Sequence, residues 1–253
     1  MSALANNCAR LTLSSGRVKI VLLTTDTTHH TYYAWKLSEH FTLQAIWVET
    51  RCWTPRFETF HPFEALRDAY ERDTLLANIK STLADLADTR VFESANSHES
   101  IAALQALSPD VMVVFGTGKL ITQVIGVPSV ACLNLHGGNP EQYRGLDTHL
   151  WAIYHQDFDN LVTTLHHIDA ELDTGEIIYQ AQLRLKRDSK LHELRAINTE
   201  ACISLSLLAL SGLQSTGSLP SRKQLTRGRY YSSMPSVLKE DCLRKFERHV
   251  AKL

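Results

Sequence analysis

Residues 130–140 have the sequence VACLNLHGGNP, a short apolar run that ends in a polar, turn-forming segment. The apolar part, residues 130–135, is typical of a buried strand, and the Gly-Gly-Asn-Pro sequence at 137–140 cannot continue a central strand. His136 is therefore predicted to lie where a buried strand ends. In open α/β sheets, ligands bind outside the carboxyl ends of the strands. The segment thus predicts both a strand of a sheet and an end that faces a ligand.

Strand-like and helix-like patterns alternate along the rest of the chain, which favours a parallel sheet covered by helices. Strands are predicted at residues 18–24, 43–48, 111–115, 130–135, 162–168 and, at an edge of the sheet, 176–185. Helices are predicted at residues 31–41, 101–107, 147–158 and from 191 onward, and one long amphipathic helix is predicted from Phe63 to about Asp88. The predicted fold class is therefore α/β: a Rossmann-like, mostly parallel sheet with helices on both faces, plus a short C-terminal appendage.

The size and composition of the chain fit one large domain with a small appendage. Its 253 residues, 44% of them hydrophobic, suffice for a sizeable core. Residues 1–16 are interpreted as an N-terminal extension that need not be ordered, residues 17–212 as the catalytic domain, and residues 213–253 as the appendage. The appendage is basic, since nine Lys and Arg residues against three acidic residues leave a net charge of +6.

Charge and cysteine content argue against several classes of protein. The formal net charge is -1, so there is no global basic field and no nucleic-acid partner is expected. Five cysteines without C-x-x-C spacing indicate neither a disulfide framework nor a zinc site, and the pairs His29-His30 and His166-His167 lack further ligands at useful spacing. Residues 1–16 lack the pattern of a signal peptide, and no run of 18 apolar residues exists. We expect a soluble, cytoplasmic protein without a metal and without membrane association.

Three polar residues near the ligand-facing strand end can together catalyse acyl transfer. Asn134 carries an amide donor for the negative charge that develops on the carbonyl oxygen when a nucleophile attacks an acyl group. The His136 imidazole, with an ordinary pKa of about 6.5, can give or take a proton near neutral pH. Asp173 can orient the imidazole or relay a proton through water. Structural interpretations stand beside these: a lone histidine at a strand end is usually a satisfied structural group, and Asp173 could form a turn before Gly175.

Two sequence blocks carry a family resemblance. Residues 134–145, NLHGGNPEQYRG, resemble the formyltransferase signature N-x-H-x-S-L-L-P-x-Y-R-G. Residues 163–177, TTLHHIDAELDTGEI, are similar to the family's second block, V-T-x-H-x-x-x-x-x-x-D-x-G-x-I, with Thr163 in place of Val. Gly138 stands where the family usually has Ser, and Pro140 comes one residue earlier than the family's Pro. The loop after His136 is therefore expected to be more flexible, or more closely approached by a ligand, than in the family.

The resemblance implies transfer of a formyl group from 10-formyltetrahydrofolate to an amine, with Asn134, His136 and Asp173 at the catalytic positions. It also implies a pterin site, formed on one side by the backbone of Gly118, Lys119, Leu120 and Ile121 and on the other by Asp169, Ala170 and Glu171. Packing at the start of a helix is the structural alternative for Leu120 and Ile121. Candidate substrate-binding residues are Gly137, Gly138, Tyr143, Arg144, Arg51 and Arg56. Of these, the Tyr-Arg-Gly segment is expected mainly to shape the loop.

The identity of the acceptor amine is less constrained. Residues 24–30, TTDTTHH, are not the Gly-rich phosphate loop expected of a glycinamide ribonucleotide formyltransferase, and the charge balance argues against tRNA. What remains resembles the shorter family members that formylate amino sugars carried on nucleotides, where Arg51, Arg56 or the basic tail could bind a diphosphate. A solvated helix face explains the basic tail equally well. A formyltetrahydrofolate hydrolase and a non-catalytic folate- or nucleotide-binding module remain as alternatives, and a homodimer is left open.

Overall fold

The computed structural model describes residues 17–51, 54–77 and 79–253. The strands in these ranges are β1 (Ile20–Thr24), β2 (Leu43–Glu49), β3 (Asp88–Phe92), β4 (Val111–Phe115), β5 (Ala131–His136), β6 (Tyr143–Gly145), β7 (Val162–His167), β8 (Ile177–Gln182) and β9 (Arg229–Tyr231). The helices are α1 (Thr28–Ser38), α2 (Pro62–Thr74), α3 (Leu83–Leu86), α4 (His98–Leu107), α5 (Thr122–Ile125), α6 (Thr148–Tyr154), α7 (Leu194–Thr216) and α8 (Ser236–Val250), with 3-10 turns at Phe158–Asn160 and Leu191–Glu193. The N-terminal extension at 1–16 lies outside the described residues.

Seven strands form one sheet in the order β3-β2-β1-β4-β5-β7-β8. The five strands from β3 to β5 run parallel, whereas β7 and β8 are antiparallel to their neighbours. The strand order reverses between β1 and β4, and the outside of the carboxyl ends at such a reversal is where open α/β sheets bind ligands. The predicted α/β class, Rossmann-like with a mostly parallel sheet, is confirmed, and so is the edge position of the strand predicted at 176–185.

The central strands are continuous apolar runs because both faces of the sheet are covered. In β1, Ile20 and Leu22 point into a core cluster shared with α1 and α7, while Val21 and Leu23 point into a second cluster shared with α4 and α5. All four side chains are buried. The alternation of strand side chains therefore places helices on both sides, as expected.

Helix α7 is the central helix of the first cluster. With the preceding 3-10 turn, the helical stretch Leu191–Thr216 is long and apolar enough to cross a membrane, but 56% of its most apolar window is buried inside the protein. It packs against α1 and against β7 and β8. Its apolarity is thus explained by core packing.

The sequence prediction for residues 63–88 was wrong in part. The helix that begins at Pro62 ends at Thr74, a separate turn of helix α3 follows at Leu83–Leu86, and Asp88–Phe92 forms the edge strand β3. Apolar residues at helical spacing hid this break, because β3 is half polar and leaves Val91 62% exposed. The helix predicted at 147–158 is likewise shorter, ending at Tyr154.

The C-terminal segment packs closely on the rest of the chain. Strand β9 pairs in parallel with β6, and α8 packs against α6. Met234 and Phe246 are fully buried in a third cluster that also contains Phe63 and Ile153. The sequence suggested a domain boundary after residue 212, and helix α7 continues past that residue to Thr216. The division into a main domain and a C-terminal appendage stays a prediction.

Candidate active site

Strand β5 positions two of the three predicted catalytic side chains. Asn134 and His136 are two residues apart and therefore share one face of the strand, opposite the face on which Leu133 and Leu135 enter the core. His136 is the last residue of β5, as the sequence predicted. In the antiparallel pairing with β7, Asn134 lies directly opposite His166. The antiparallel neighbour thus adds a second imidazole to the pair.

Asp173 is held in place by backbone and tail contacts. It has a left-handed conformation with φ 55°, and its Oδ2 accepts a hydrogen bond from the Gly145 amide at 2.8 Å. The Gln224 side chain donates to the carbonyls of Asp173 and Gly175, both at 2.9 Å, and Arg144 donates to the Leu172 carbonyl at 3.0 Å. The loop that carries the carboxylate is therefore tied to β6 and to the C-terminal segment.

The Asp173 carboxylate is the centre of the site. Its Oδ1 lies 3.6 Å from His136 Nδ1, 3.5 Å from His166 Nε2 and 3.5 Å from Asn134 Nδ2. The predicted trio is thus brought together, with His166 as a fourth member. All three charged or titratable side chains are at most 9% exposed, so their interactions are only weakly screened by water.

Burial and charge act in opposite directions on these groups. Burial by itself raises the pKa of Asp173, but the neighbouring imidazoles of His136 and His166 and the hydrogen bond from the Gly145 amide outweigh it, so the pKa lies well below its usual range. Burial also dominates at His136, where it lowers the pKa despite the opposing effect of Asp173. The site therefore contains an ionised carboxylate beside a His136 imidazole that is neutral near pH 7.

Hydrogen bonds indicate how the two imidazoles are oriented. His166 Nδ1 lies 2.7 Å from the His167 carbonyl, so this nitrogen carries the proton and Nε2 can accept from Asn134 Nδ2 at 3.1 Å. His136 Nε2 lies 2.8 Å from the Tyr143 carbonyl and donates to it. The Asn134 amide thereby has its nitrogen turned toward His166 and Asp173, and the longer of its two hydrogen bonds, at 3.5 Å to Asp173, can be exchanged for one to a new oxygen acceptor.

A cavity of about 380 Å³ opens beside this cluster at the carboxyl end of β4 and β5. Its lining includes the polar residues of the site, Asn134, His166 and Asp173, together with apolar and loop residues. The other lining residues are Val114, Gly116, Thr117, Gly118, Lys119, Leu120, Leu135, Gly145, Leu146, Ile168, Asp169, Glu171, Leu172 and Tyr230. His136 is not in this lining. It lies behind Asp173, with its ring against the Tyr143 carbonyl.

The predicted pterin residues divide between the cavity and its surroundings. Gly118, Lys119, Leu120, Asp169 and Glu171 line it. Ile121 is 40% exposed outside the lining, and Ala170 lines a neighbouring open depression instead. The two sides that the resemblance implied do face one cavity.

The predicted substrate-binding residues lie outside the cavity lining. The Arg144 side chain is buried and donates to the carbonyls of Gly228 and Leu172, and the Tyr143 hydroxyl donates to Asp157, which favours the loop-shaping interpretation. Arg51 and Arg56 are exposed, and Arg51 follows β2 at the carboxyl edge of the sheet. Their roles in substrate binding stay predictions.

The loop after His136 is packed by the protein's own side chains. A Cβ on Gly138 would lie 2.8 Å from Thr148 Oγ1 and 2.9 Å from His136 Nε2, which explains the absence of a larger residue there. Thr164 donates to the Gly138 carbonyl at 2.7 Å, and Thr148 donates to the Gly137 carbonyl. Of the two sequence expectations for this loop, close approach is the better description, but the approaching groups belong to this chain.

Sequence reasoning missed several residues of the site. His166 was considered only as part of the second block and of the pair His166-His167, although its place opposite Asn134 follows from the strand pairing. Tyr230 lines the cavity with half of its surface exposed, and Gln224 holds the Asp173 loop. Both residues belong to the C-terminal segment, and the local sequence around them does not indicate that they reach the site.

The basic residues of that segment are partly neutralised. Arg222 donates two hydrogen bonds to the Glu141 carboxylate, at 2.9 and 2.8 Å, and Arg227 pairs with Glu171. These contacts favour the structural interpretation of the basic tail for those two residues. Across residues 17–51, 54–77 and 79–253, no cluster of three or more His, Cys, Asp or Glu residues could hold a metal ion.

Comparison with known proteins identifies relatives of this chain. The family model described as formyl transferase matches residues 67–201. A methionyl-tRNA formyltransferase from Idiomarina loihiensis is 34% identical over 167 residues, covering 61% of this chain and 52% of the relative. Among solved structures, a sugar N-formyltransferase from a Shewanella species has a TM-score of 0.57 at 13% identity and covers 90% of this chain and 87% of that one. HypX from Aquifex aeolicus, in complex with tetrahydrofolic acid, has a TM-score of 0.55 at 14% identity and covers 88% of this chain and 31% of that one.

Proposed function

The chain belongs to the formyl transferase family, and from this premise we propose that it transfers a formyl group from 10-formyltetrahydrofolate to a primary amine. The chain spans about half, or less, of the length of the curated relatives that it matches first. One observation carries the proposal: the side chains of Asn134, His166 and Asp173 meet at one wall of a cavity at the carboxyl end of the sheet.

The cavity has the chemistry that a folate requires. The lining combines the apolar residues Val114, Leu120 and Ile168 with the 116–119 segment, and such a mixture suits a flat heteroaromatic ring with polar edges. The folate, when bound, would supply an activated formyl amide. The amine nitrogen would form a bond to the formyl carbon, the bond from that carbon to N10 of the folate would break, and N10 would take up a proton as tetrahydrofolate leaves.

The residues of the site have separate roles in this proposal. The Asn134 amide donates to the oxygen that becomes negatively charged, a contribution worth on the order of 10²-fold or more in rate. Asp173, ionised and buried, stabilises the positive charge that develops on the amine nitrogen as it attacks, and it can accept the proton that this nitrogen then loses. His136 lies behind Asp173, and its Nδ1, which carries no proton in the neutral imidazole and faces Oδ1 at 3.6 Å, can take up the proton that Asp173 receives from the amine. The site needs no metal in this scheme.

For the acceptor we propose an amino sugar carried on a nucleotide. The neutral overall charge supports a small acceptor. Arg51 is exposed at the carboxyl edge of the sheet and Arg56 is exposed in the segment that follows it, and both could bind a diphosphate. The sugar N-formyltransferase from Shewanella offers a parallel in fold alone. Methionyl-tRNA is the second candidate, because the relative from Idiomarina loihiensis that matches at 34% identity is a methionyl-tRNA formyltransferase.

An acceptor panel tests the proposal. The protein is incubated with 10-formyltetrahydrofolate and either a nucleotide-linked amino sugar, the free amino sugar or methionyl-tRNA, and formylated product and released formate are quantified. Formylation of the nucleotide-linked sugar supports both parts of the proposal, and formylation of methionyl-tRNA alone replaces the acceptor. Formate release without an acceptor indicates the hydrolase, and folate binding without turnover indicates the non-catalytic module.

Arginine variants test the diphosphate contact within that panel. Arg51→Ala and Arg56→Ala should raise KM for the nucleotide-linked sugar several-fold with kcat nearly unchanged, because these side chains lie outside the cavity lining and would bind substrate and transition state equally. Equal kcat/KM for free and nucleotide-linked sugars contradicts the assignment of a diphosphate site. We also propose a cytoplasmic location, which fits the buried and free thiols of Cys132, Cys202 and Cys242.

A further inference from the structure

Two polar side chains outside both sequence blocks hold the loop between β4 and α5, here called the 116–121 loop. We propose that Glu49 and Asn96 are positioning residues that fix this loop for the pterin ring. The inference rests on the proposed function, because it takes the ring in the cavity to be that of a folate.

Glu49 is the last residue of β2 and is 7% exposed. Its Oε2 accepts a hydrogen bond from the Gly118 amide at 2.6 Å, and its Oε1 accepts one from the Ala95 amide at 3.1 Å. An ionised carboxylate only accepts hydrogen bonds, and bonds to a charged acceptor are stronger than neutral ones. One buried side chain therefore joins the 116–121 loop to the loop before α4.

Asn96 follows Ala95 and makes the second connection. Its Nδ2 donates to the Lys119 carbonyl at 2.8 Å, and its Oδ1 accepts from the Ile121 amide at 3.0 Å. The two bonds lie on either side of Leu120, which is 4% exposed and lines the cavity. Glu49 orders the loop that carries Asn96, and Asn96 in turn sets how Leu120 faces the cavity.

Apart from the buried Leu120, the residues of the 116–121 loop are exposed or half-exposed. The loop contains no regular secondary structure before the four-residue helix α5, and it starts at Gly116 with φ 94°. An unsupported loop would have to lose backbone entropy when a ligand binds. Glu49 and Asn96 fix the loop before binding, so their removal should weaken folate binding without changing the groups that act on the formyl carbon.

Glu49→Ala and Asn96→Ala test the proposal in the full chain. The dissociation constant of 5-formyltetrahydrofolate is measured by calorimetry, and KM and kcat are measured for 10-formyltetrahydrofolate and for the acceptor that the panel identifies. We expect the Kd and the folate KM to rise roughly tenfold in each variant, a size set by hydrogen bonds of this kind. The acceptor KM and kcat should change by less than about threefold.

Asp110→Ala is the matched control. Asp110 also accepts from a backbone amide, that of Lys19 at 2.8 Å, but it precedes β4 and so lies at the opposite end of the sheet. It should leave the folate Kd unchanged. A similar rise in Kd for Asp110→Ala would attribute the effect to general destabilisation and overturn the proposal.

Amide hydrogen exchange without folate gives a second measurement. The Gly118 amide should exchange faster in Glu49→Ala, and the Ile121 amide faster in Asn96→Ala. If Glu49→Ala does not fold, the half-buried Asn96 carries the test. If the wild type binds folate and the folded variants bind it with the same Kd, the positioning role is overturned and the proposed function is left intact. If the wild type does not bind folate, both are overturned.

Discussion

Replacing Asp173 by Asn removes one negative charge from the site with little change in shape. The carboxylate attracts the positive charge that develops during the reaction, on the amine nitrogen or on His136 once its Nδ1, 3.6 Å from Oδ1, has taken up a proton. At an effective dielectric constant of about 20, that attraction is worth about 4 to 5 kcal/mol. In the variant, rearrangement of the surrounding groups compensates for part of the lost attraction. A remaining loss of about 3 to 4 kcal/mol in transition-state stabilisation corresponds to a fall in kcat on the order of 10²- to 10³-fold. We therefore expect Asp173→Asn to lower kcat by this factor.

Folate binding should survive the substitution. The Asn side chain can still accept the Gly145 amide bond that Asp173 Oδ2 accepts at 2.8 Å, so the loop and the cavity wall are retained. Steady-state kinetics and calorimetric folate titration are measured together, and circular dichroism checks the fold. The expected pattern is a large loss of kcat with a folate Kd within about threefold of the wild type.

Asp157→Asn is the control for this experiment. The Asp157 carboxylate accepts the Tyr143 hydroxyl at 2.9 Å and the Asn160 amide at 2.8 Å, and it is not in the cavity lining. Its kcat should stay within about threefold of the wild type. Turnover of Asp173→Asn at a similar level, with folate bound, would refute the assignment of Asp173 as the group that holds the developing positive charge.

Three further outcomes are expected. Burial lowers the pKa of His136, so the imidazole stays neutral to a lower pH than a free histidine would. We therefore expect kcat to be constant above about pH 6.5 and to fall only at lower pH. A kcat that already falls with decreasing pH above that value argues against a neutral His136. Asn134→Ala should lower kcat on the order of 10²-fold and leave the folate Kd nearly unchanged, so a Kd effect without a kcat effect would assign the amide to binding. Gly145→Ala should lower the melting temperature by several degrees, because its Cβ would lie 2.1 Å from the Tyr231 carbonyl at φ 94°, whereas Gly212→Ala in open space on α7 should leave it equal or raise it. Equal melting temperatures for the two glycine variants would contradict the close approach of β6 and β9.

The fold was predictable where its signals are local. Residues 111–115 and 130–136 are apolar runs that end in glycine segments, and a strand buried on both faces needs this pattern. Strand β3 was missed because an edge strand buries only part of its surface, so Asp88–Phe92 carries no continuous apolar run.

For the site, too, some features followed from the sequence and others only from the tertiary structure. The sequence by itself determined that Asn134 and His136 share one face of a strand end, since side chains alternate along every strand, and the resemblance of the second block to the family pattern pointed to Asp173. Only the tertiary structure decided that His166 lines the cavity while His136 lies behind the carboxylate, and that Tyr230 from the C-terminal segment completes the wall. Alternation along a strand is a property of neighbouring residues. Which side chains share a cavity depends instead on how β5 and β7 pair and where the chain after α7 returns to pack, and those contacts join residues far apart in sequence.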